Sequence, residues 1–201
     1  MGYTHYVRIS VQHLDPDIFA AFAWDCERLS MSTEIPLAGW NGTGDPLFAP
    51  NCVSFNGVQN CGHQERDLGI VWPSGDPGRG GVASKAPSTG SWFAGAHVSA
   101  RTCDGDCSHE TFRIDRDWKP EKWQKNWQKE GIFRCCKTAY KPYDVLVTAC
   151  LIALAHHFPD VVRVTSDGES RDWQDARDLC SHALGYGKDF CLPQEENKEE
   201  V

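Results

Sequence analysis

The chain of 201 residues has no hydrophobic run long enough to cross a bilayer. Its most apolar stretch, Val145–Ala155, falls well short of the roughly 20 residues that a transmembrane helix needs. The charged and apolar regions of a secretory signal are also missing, because His5 and Arg8 lie among alternating residues and no apolar run follows them. N-myristoylation is not expected, since Tyr6 stands where the pattern has Ser or Thr. Basic charge is scarce: 20 Lys and Arg face 28 Asp and Glu, a formal net charge of -8. That balance argues against a general nucleic-acid binder, makes DNA an unexpected partner and suits a small cationic substrate. No internal repeat and no clean domain boundary is visible. The expectation is a soluble, cytoplasmic protein with one domain over residues 1–192. An acidic, disordered tail over 193–201 would follow, where Glu195, Glu196, Glu199 and Glu200 crowd together.

What the chain does have is ten cysteines and eight histidines. In a reducing compartment such a count points to metal ligands, reactive thiols or plain buried thiols rather than to disulfides. Cys26, Cys150 and Cys180 fall on apolar helical faces and read as buried thiols. Two glycine-containing turns share a shape, Cys52-x8-Cys61-x-His63 and Cys103-x3-Cys107-x-His109. Zinc needs four N or S ligands converging tetrahedrally, commonly two from each of two turns, so Cys52, Cys61, Cys103 and Cys107 are metal candidates. The spacing is not a standard knuckle, and reduced apolar thiols with no cofactor explain the same residues.

The pattern predicts a single-domain α+β fold, with mixed or antiparallel sheet packed against about three to four helices and a long Gly/Pro-rich loop region. Tyr3, Val7, Ile9 and Val11 suggest an opening strand. Asp15-Pro16 is a helix start, followed by Ile18, Phe19, Phe22, Cys26 and Leu29 on one face. Short strands are expected near Leu37–Trp40, Cys52–Phe55 and Ile70–Trp72, with Gly75–Ser91 as a mobile surface loop. Further strands are expected at Trp92–Ala100, Thr111–Ile114, Ile132–Cys136 and Val161–Val164. Pro142–Phe158 reads as a buried helix, and Ser166–Leu184 as a last one ended by Gly185.

Four constellations bear on chemistry. On a strand, His109 would face opposite to Glu110; an imidazole suits a general base, and His109 with Glu110 or Asp144 would move protons. At the junction of Cys135-Cys136-Lys137 with the helix after Pro142, helix-end N–H groups favour anions. Lys137 could hold a phosphate there, Asp144 could move a proton or cap the helix, Cys136 is a thiol nucleophile candidate, and Tyr143 and His5 could meet a substrate. The turn Ser166-Asp167-Gly168-Glu169 offers Asp167 and Glu169 to a guanidinium, or else a helix-capping box. Between Arg113 and Lys141 nine basic residues oppose four acids. Lys122, Lys125 and Lys129 share one helical face beside Trp123 and Trp127, which suits RNA contact or an ordinary amphipathic helix.

Several of these blocks carry a resemblance: Gly2-Tyr3-Thr4-His5-Tyr6, Leu37-Ala38-Gly39-Trp40, Phe55-Asn56-Gly57, His109-Glu110-Thr111-Phe112, Lys137-Thr138-Ala139, Lys141-Pro142-Tyr143-Asp144, Ser166-Asp167-Gly168-Glu169 and Gly185-Tyr186-Gly187. With them the chain resembles a widespread family of small proteins that open with the same pentapeptide, which implies a shared fold over most of the chain and no particular chemistry. The chain is also similar to the fungal arginine-containing cyclodipeptide synthases, small proteins that join two aminoacyl groups taken from charged tRNAs. That resemblance implies an aminoacyl transferase with charged tRNA as partner. The other open reading is a zinc-stabilised scaffold, or an RNA- or protein-binding module, without catalysis.

Overall fold

A computed structural model describes residues 3–73, 81–83, 92–93 and 96–193. The element order is β1 (Thr4–Ile9), α1 (Pro16–Met31), β2 (Leu37–Ala38), β3 (Leu47–Ala49), β4 (Cys52–Gly57), β5 (Asp67–Pro73), β6 (Gly81–Ala83), β7 (Trp92–Phe93), β8 (Ala96–Thr102), β9 (Phe112–Asp115), α2 (Trp127–Glu130), β10 (Ile132–Lys137), α3 (Asp144–His157), β11 (Val162–Ser166) and α4 (Gln174–Leu184). The fold is α+β, and every strand pairing among the described residues is antiparallel rather than mixed. Most of the expected loop Gly75–Ser91, and residues 194–201 of the expected tail, lie outside the described residues. No described helix is long and apolar enough to cross a membrane.

Strand β1 organises the molecule. It lies between β10 and β11, with His5 opposite Cys136 on one side and Ser166 on the other. Alternation along the strand buries His5, Val7 and Ile9 and turns Tyr6 and Arg8 outward. The inward face joins a core with α1, α3 and α4, which pack on one another. A second sheet has β4 paired with β2, β3 and β9, and a third has the order β6-β5-β8-β7. The third brings Arg101 and Cys103, at the end of β8, up against the segment before α3: the Thr102 amide donates to the Tyr140 carbonyl at 2.8 Å.

The helices follow their local chemistry. The Asp15 carboxylate accepts from the Asp17 and Ile18 amides and Pro16 opens α1, so that start forms as the sequence predicts. Ile18 itself is 41% exposed. The stripe Phe19, Phe22, Cys26 and Leu29 holds the core face, and Ile18 lies about 100° away from Phe19 around the helix. Helix α3 is buried from Asp144 to Leu154, as its unbroken apolar run requires. Helix α4 starts at Gln174, later than Ser166, because Glu169 and Asp172 form a capping box around a tight turn over Ser170–Trp173. Gly185 ends the helix at φ 80°, a left-handed position that favours glycine.

One expected helix is largely absent. Only Trp127–Glu130 is helical in the basic segment, with no side-chain cap at Asn126 and Gly131 just past it. Four residues cannot present Lys122, Lys125 and Lys129 on one face. Trp123 is 65% exposed, whereas Trp127 packs against the core. A lone short helix gains little from intrinsic propensity, so tertiary contacts decided this segment.

Candidate functional site

Two clusters of chemically able side chains stand out among the described residues, and both meet the turn between β10 and α3. The first is buried under β1. His5 Nε2 lies 2.7 Å from Asp144 Oδ1, and His5 Nδ1 lies 3.0 Å from Ser166 Oγ. Residues opposite one another in an antiparallel pair face the same side, so the β1–β11 register is what carries Ser166 to His5. The Ser166 hydroxyl also accepts from the Gly168 amide at 2.9 Å. Its proton is therefore directed at His5 Nδ1, and the imidazole proton on Nε2 is directed at the Asp144 carboxylate. A hydroxyl, an imidazole and a buried carboxylate in one hydrogen-bonded row are the parts of an activated oxygen nucleophile.

The carboxylate is held from several sides. The Thr138 hydroxyl donates to Asp144 Oδ1 at 2.5 Å. Arg101 Nε lies 4.0 Å from Asp144 Oδ2, and Arg101 Nη2 donates to Asp175 Oδ2 at 3.1 Å. The Ser99 hydroxyl donates to the same Asp175 oxygen. The guanidinium carbon sits 5.2 Å from the centre of the Tyr140 ring, whose hydroxyl donates to Asp172. His5 is wedged edge-on between Tyr3 and Trp173, at 4.9 and 5.3 Å between ring centres. Gly168 is needed beside this site, since a methyl group there would overlap the Tyr3 phenol at 2.5 Å. His5, Asp144, Arg101 and Asp175 are all nearly inaccessible. Apolar residues of similar volume often serve stability as well as a buried ion network does, while deleting one partner costs about 3–5 kcal/mol. Such a network beside a paired hydroxyl and imidazole makes this a candidate site.

Burial alone would push the Asp144 carboxyl up. His5 bonded to it, the Arg101 charge and the Thr138 hydroxyl outweigh it and hold the carboxyl below its usual 3.8. Because the folded value is depressed, this carboxylate's contribution to stability is complete above about pH 4 and is lost as pH falls through the lower folded value. Acid unfolding of the protein is therefore expected to begin at higher pH in Asp144→Asn, whose fold lacks that contribution. Circular dichroism titration from pH 6 to about pH 2 checks this; identical acid curves for the two proteins would refute it.

The other sequence candidates are spread more widely. His109 is exposed in an irregular segment, not on a strand; its backbone N–H and C=O are both held by the Asn56 amide. The Glu110 carboxylate accepts from the Lys137 amide at 2.6 Å. Tyr143 is fully buried with its hydroxyl donating to the Glu110 carbonyl, so it packs the interior. Burial, with the Glu110 and Asp144 charges, pushes the Cys136 thiol well up and keeps it protonated. Asp167 is exposed and accepts from the Tyr6 hydroxyl at 2.8 Å. Glu169 is exposed, serves the capping box and pairs with Arg171 at 3.2 Å. A cleft of about 210 Å³ between β9 and β10 reaches His5, Cys135 and Cys136, but not His109, Asp144 or Asp167.

The second cluster joins Cys61, His63, Cys103 and Cys107, whose ligand atoms all lie within 4.8 Å of one another. His63 Nδ1 is 3.0 Å from Cys61 Sγ and 3.5 Å from the sulfurs of Cys103 and Cys107. Cys103 Sγ is 3.2 Å from Cys61 Sγ and 3.4 Å from Cys107 Sγ. Zinc bonds of about 2.3 Å to sulfur and 2.0–2.1 Å to nitrogen give tetrahedral edges only slightly longer than these. The cluster can hold a metal ion such as zinc, and four protein ligands leave no open position. Cys52 is not part of it. The β4 ladder pins Cys52 opposite Ala49 and Asp115, and His63 supplies the fourth ligand. Lys141, expected to add charge at the helix junction, instead donates to the carbonyls of Cys103 and Asp106, both at 2.5 Å. Three residues further on stands Asp144, so one short segment touches both clusters.

Comparison with protein-family models, curated proteins and solved structures returns no match. The residues to which sequence reading gave no site role are Ser166, read as a capping residue, Thr138, quoted only within the Lys137-Thr138-Ala139 block, and Arg101 and Asp175, which carry no motif. His63 stood in the sequence fragment but outside the expected ligand set. Strand register was the missing information, since His5 and Ser166 are 161 positions apart.

Proposed function

We propose that this chain is an acyl transferase that takes aminoacyl groups from charged tRNA and joins two of them into an arginine-containing cyclodipeptide. The observation that carries the acyl-transfer part is the row Ser166–His5–Asp144. The choice of aminoacyl groups follows from the resemblance to the fungal synthases. Ser166 Oγ attacks the ester carbonyl of the first aminoacyl-tRNA while its proton passes to His5 Nδ1. The ester C–O bond breaks, and the terminal ribose oxygen leaves with that proton. The α-amine of a second aminoacyl-tRNA then attacks the acyl-serine, the new amide forms, and Ser166 recovers a proton. The free amine of the dipeptidyl ester closes on its own carbonyl and releases the second tRNA with the six-membered ring. Asp144 stays ionised throughout and stabilises the imidazolium. Asp167 follows the nucleophile directly and is exposed, which suits it to a guanidinium. In this reading His109, Glu110, Lys137 and Cys136 are not the groups that meet the reacting atoms.

Arginyl-tRNA and a second charged tRNA, incubated with the folded protein, are expected to yield a diketopiperazine detectable by mass spectrometry. No product from any pair of charged tRNAs would sink the reading.

The closed ligand set favours a second reading, a zinc-stabilised scaffold without catalysis. Zinc held by Cys61, His63, Cys103 and Cys107 belongs to both readings. Its role would be structural, because all four positions are filled by the chain.

A further inference from the structure

We propose that the outer face of the β10-β1-β11 sheet, with residues 123–131 along its rim, binds an unpaired RNA strand. Helices cover the inner face of this sheet, while Tyr6, Arg8, Phe133 and Arg163 project from the outer one. Tyr6 and Phe133 stack at 5.9 Å between ring centres, with 24° between planes. The Arg8 guanidinium sits 5.1 Å from the centre of the Phe133 ring, and Trp123 meets Phe133 edge-on at 6.2 Å. Trp123 leaves 65% of its surface open. Two adjoining grooves of about 400 and 660 Å³ share Arg8, and the larger reaches Lys129 and Arg163.

Among the described residues, the cations of this face stand without carboxylate partners, whereas several arginines elsewhere are paired. Arg113, Arg116, Arg134 and Arg171 are each paired with a carboxylate. Arg8, Lys129 and Arg163 have no carboxylate partner among the described residues, although Glu130 and Asp160 stand on the groove rim. Unneutralised cations spaced along stacked and exposed aromatic rings match a strand that offers phosphates and base faces together. A protein partner would need an apolar centre, and Trp123 is the only large exposed hydrophobic residue on this face among the described ones. The stripe also has a direction. Tyr6 is bonded to Asp167 at the end of β11, so a strand lying on the aromatics ends at that corner, while the Ser166 side chain turns to the inner face with His5. The identity of that strand as the unpaired acceptor end of tRNA rests on the reaction proposed above; the contact itself stands on the sheet face.

The test measures fluorescence anisotropy with deacylated tRNA and with an oligouridylate of about twelve nucleotides, over a range of salt. Saturable binding is expected, weakened about tenfold or more in Trp123→Ala, which removes one stacking platform. The double variant Arg8→Ala/Arg163→Ala is expected to weaken binding to both probes and to flatten the plot of log affinity against log salt by about 1.4, for two phosphates of a single strand. All three positions are at the surface, and matching melting curves would establish that the variants fold. Absence of saturable binding at low salt, or wild-type affinity in both variants, overturns the proposal. Binding that depends on this face while Ser166 is never acylated leaves the face standing and removes the reaction. Acylation at the wild-type rate in both variants does the reverse.

Discussion

Ser166→Ala is expected to lower turnover by on the order of 10⁴- to 10⁶-fold while the protein stays folded, because nothing else in the row can carry the acyl group. His5→Gln should cost less, about 10²- to 10⁴-fold, since the hydroxyl survives without its base. Intact-protein mass spectrometry after brief exposure to arginyl-tRNA provides the sharper reading. Wild type should show a serine-borne aminoacyl adduct, Ser166→Ala none, and Ser166→Cys a thioester at the same position. A structural role for the hydroxyl makes a different forecast. Losing its bonds to His5 and the Gly168 amide would cost about 1–3 kcal/mol of stability and nothing in turnover beyond that. An alanine variant that melts lower yet still forms product at near the wild-type rate would end the nucleophile assignment.

Stripping the metal is expected to give the largest change in stability. Elemental analysis should find one zinc per chain. Chelation should then melt the region around Cys61–Asp67 and Cys103–His109 first, because Leu68, Cys103 and Cys107 form a small apolar cluster separate from the main core, with Cys61 beside it. Structural zinc in small modules contributes an apparent 10–16 kcal/mol of binding free energy at neutral pH, so little would hold these turns without it. The damage should spread to the row Ser166–His5–Asp144. Arg101 lies two residues before Cys103, and Lys141 ties the Cys103 and Asp106 carbonyls to the segment that delivers Asp144. Cys103→Ser/Cys107→Ser is therefore expected to lose zinc, melting temperature and turnover together. Protein that is metal-free as purified and melts identically with and without chelator would refute the assignment.

The places where sequence reading succeeded and failed have a common physical basis. The Asp15-Pro16 cap, the buried helix before His157 and the Gly185 stop are local features, set by residues within a few positions of one another, and they stand where the sequence puts them. The basic segment misled because a period of three to four is only a weak preference when the helix has neither cap nor length. Cys52 misled for a related reason, since a cysteine spacing does not reveal that one of the residues is committed to a β ladder.

The sequence by itself determined the α+β class, the thiol-rich turns and the local helix caps, because composition, periodicity and caps act over short distances. Only the tertiary structure decided which groups meet. Antiparallel register set Ser166 against His5, loop closure exchanged Cys52 for His63 in the ligand set, and the β8 hairpin drove Arg101 between Asp144 and Asp175. Each of those pairings joins residues far apart in the chain, and their energy comes from burial that no local pattern encodes.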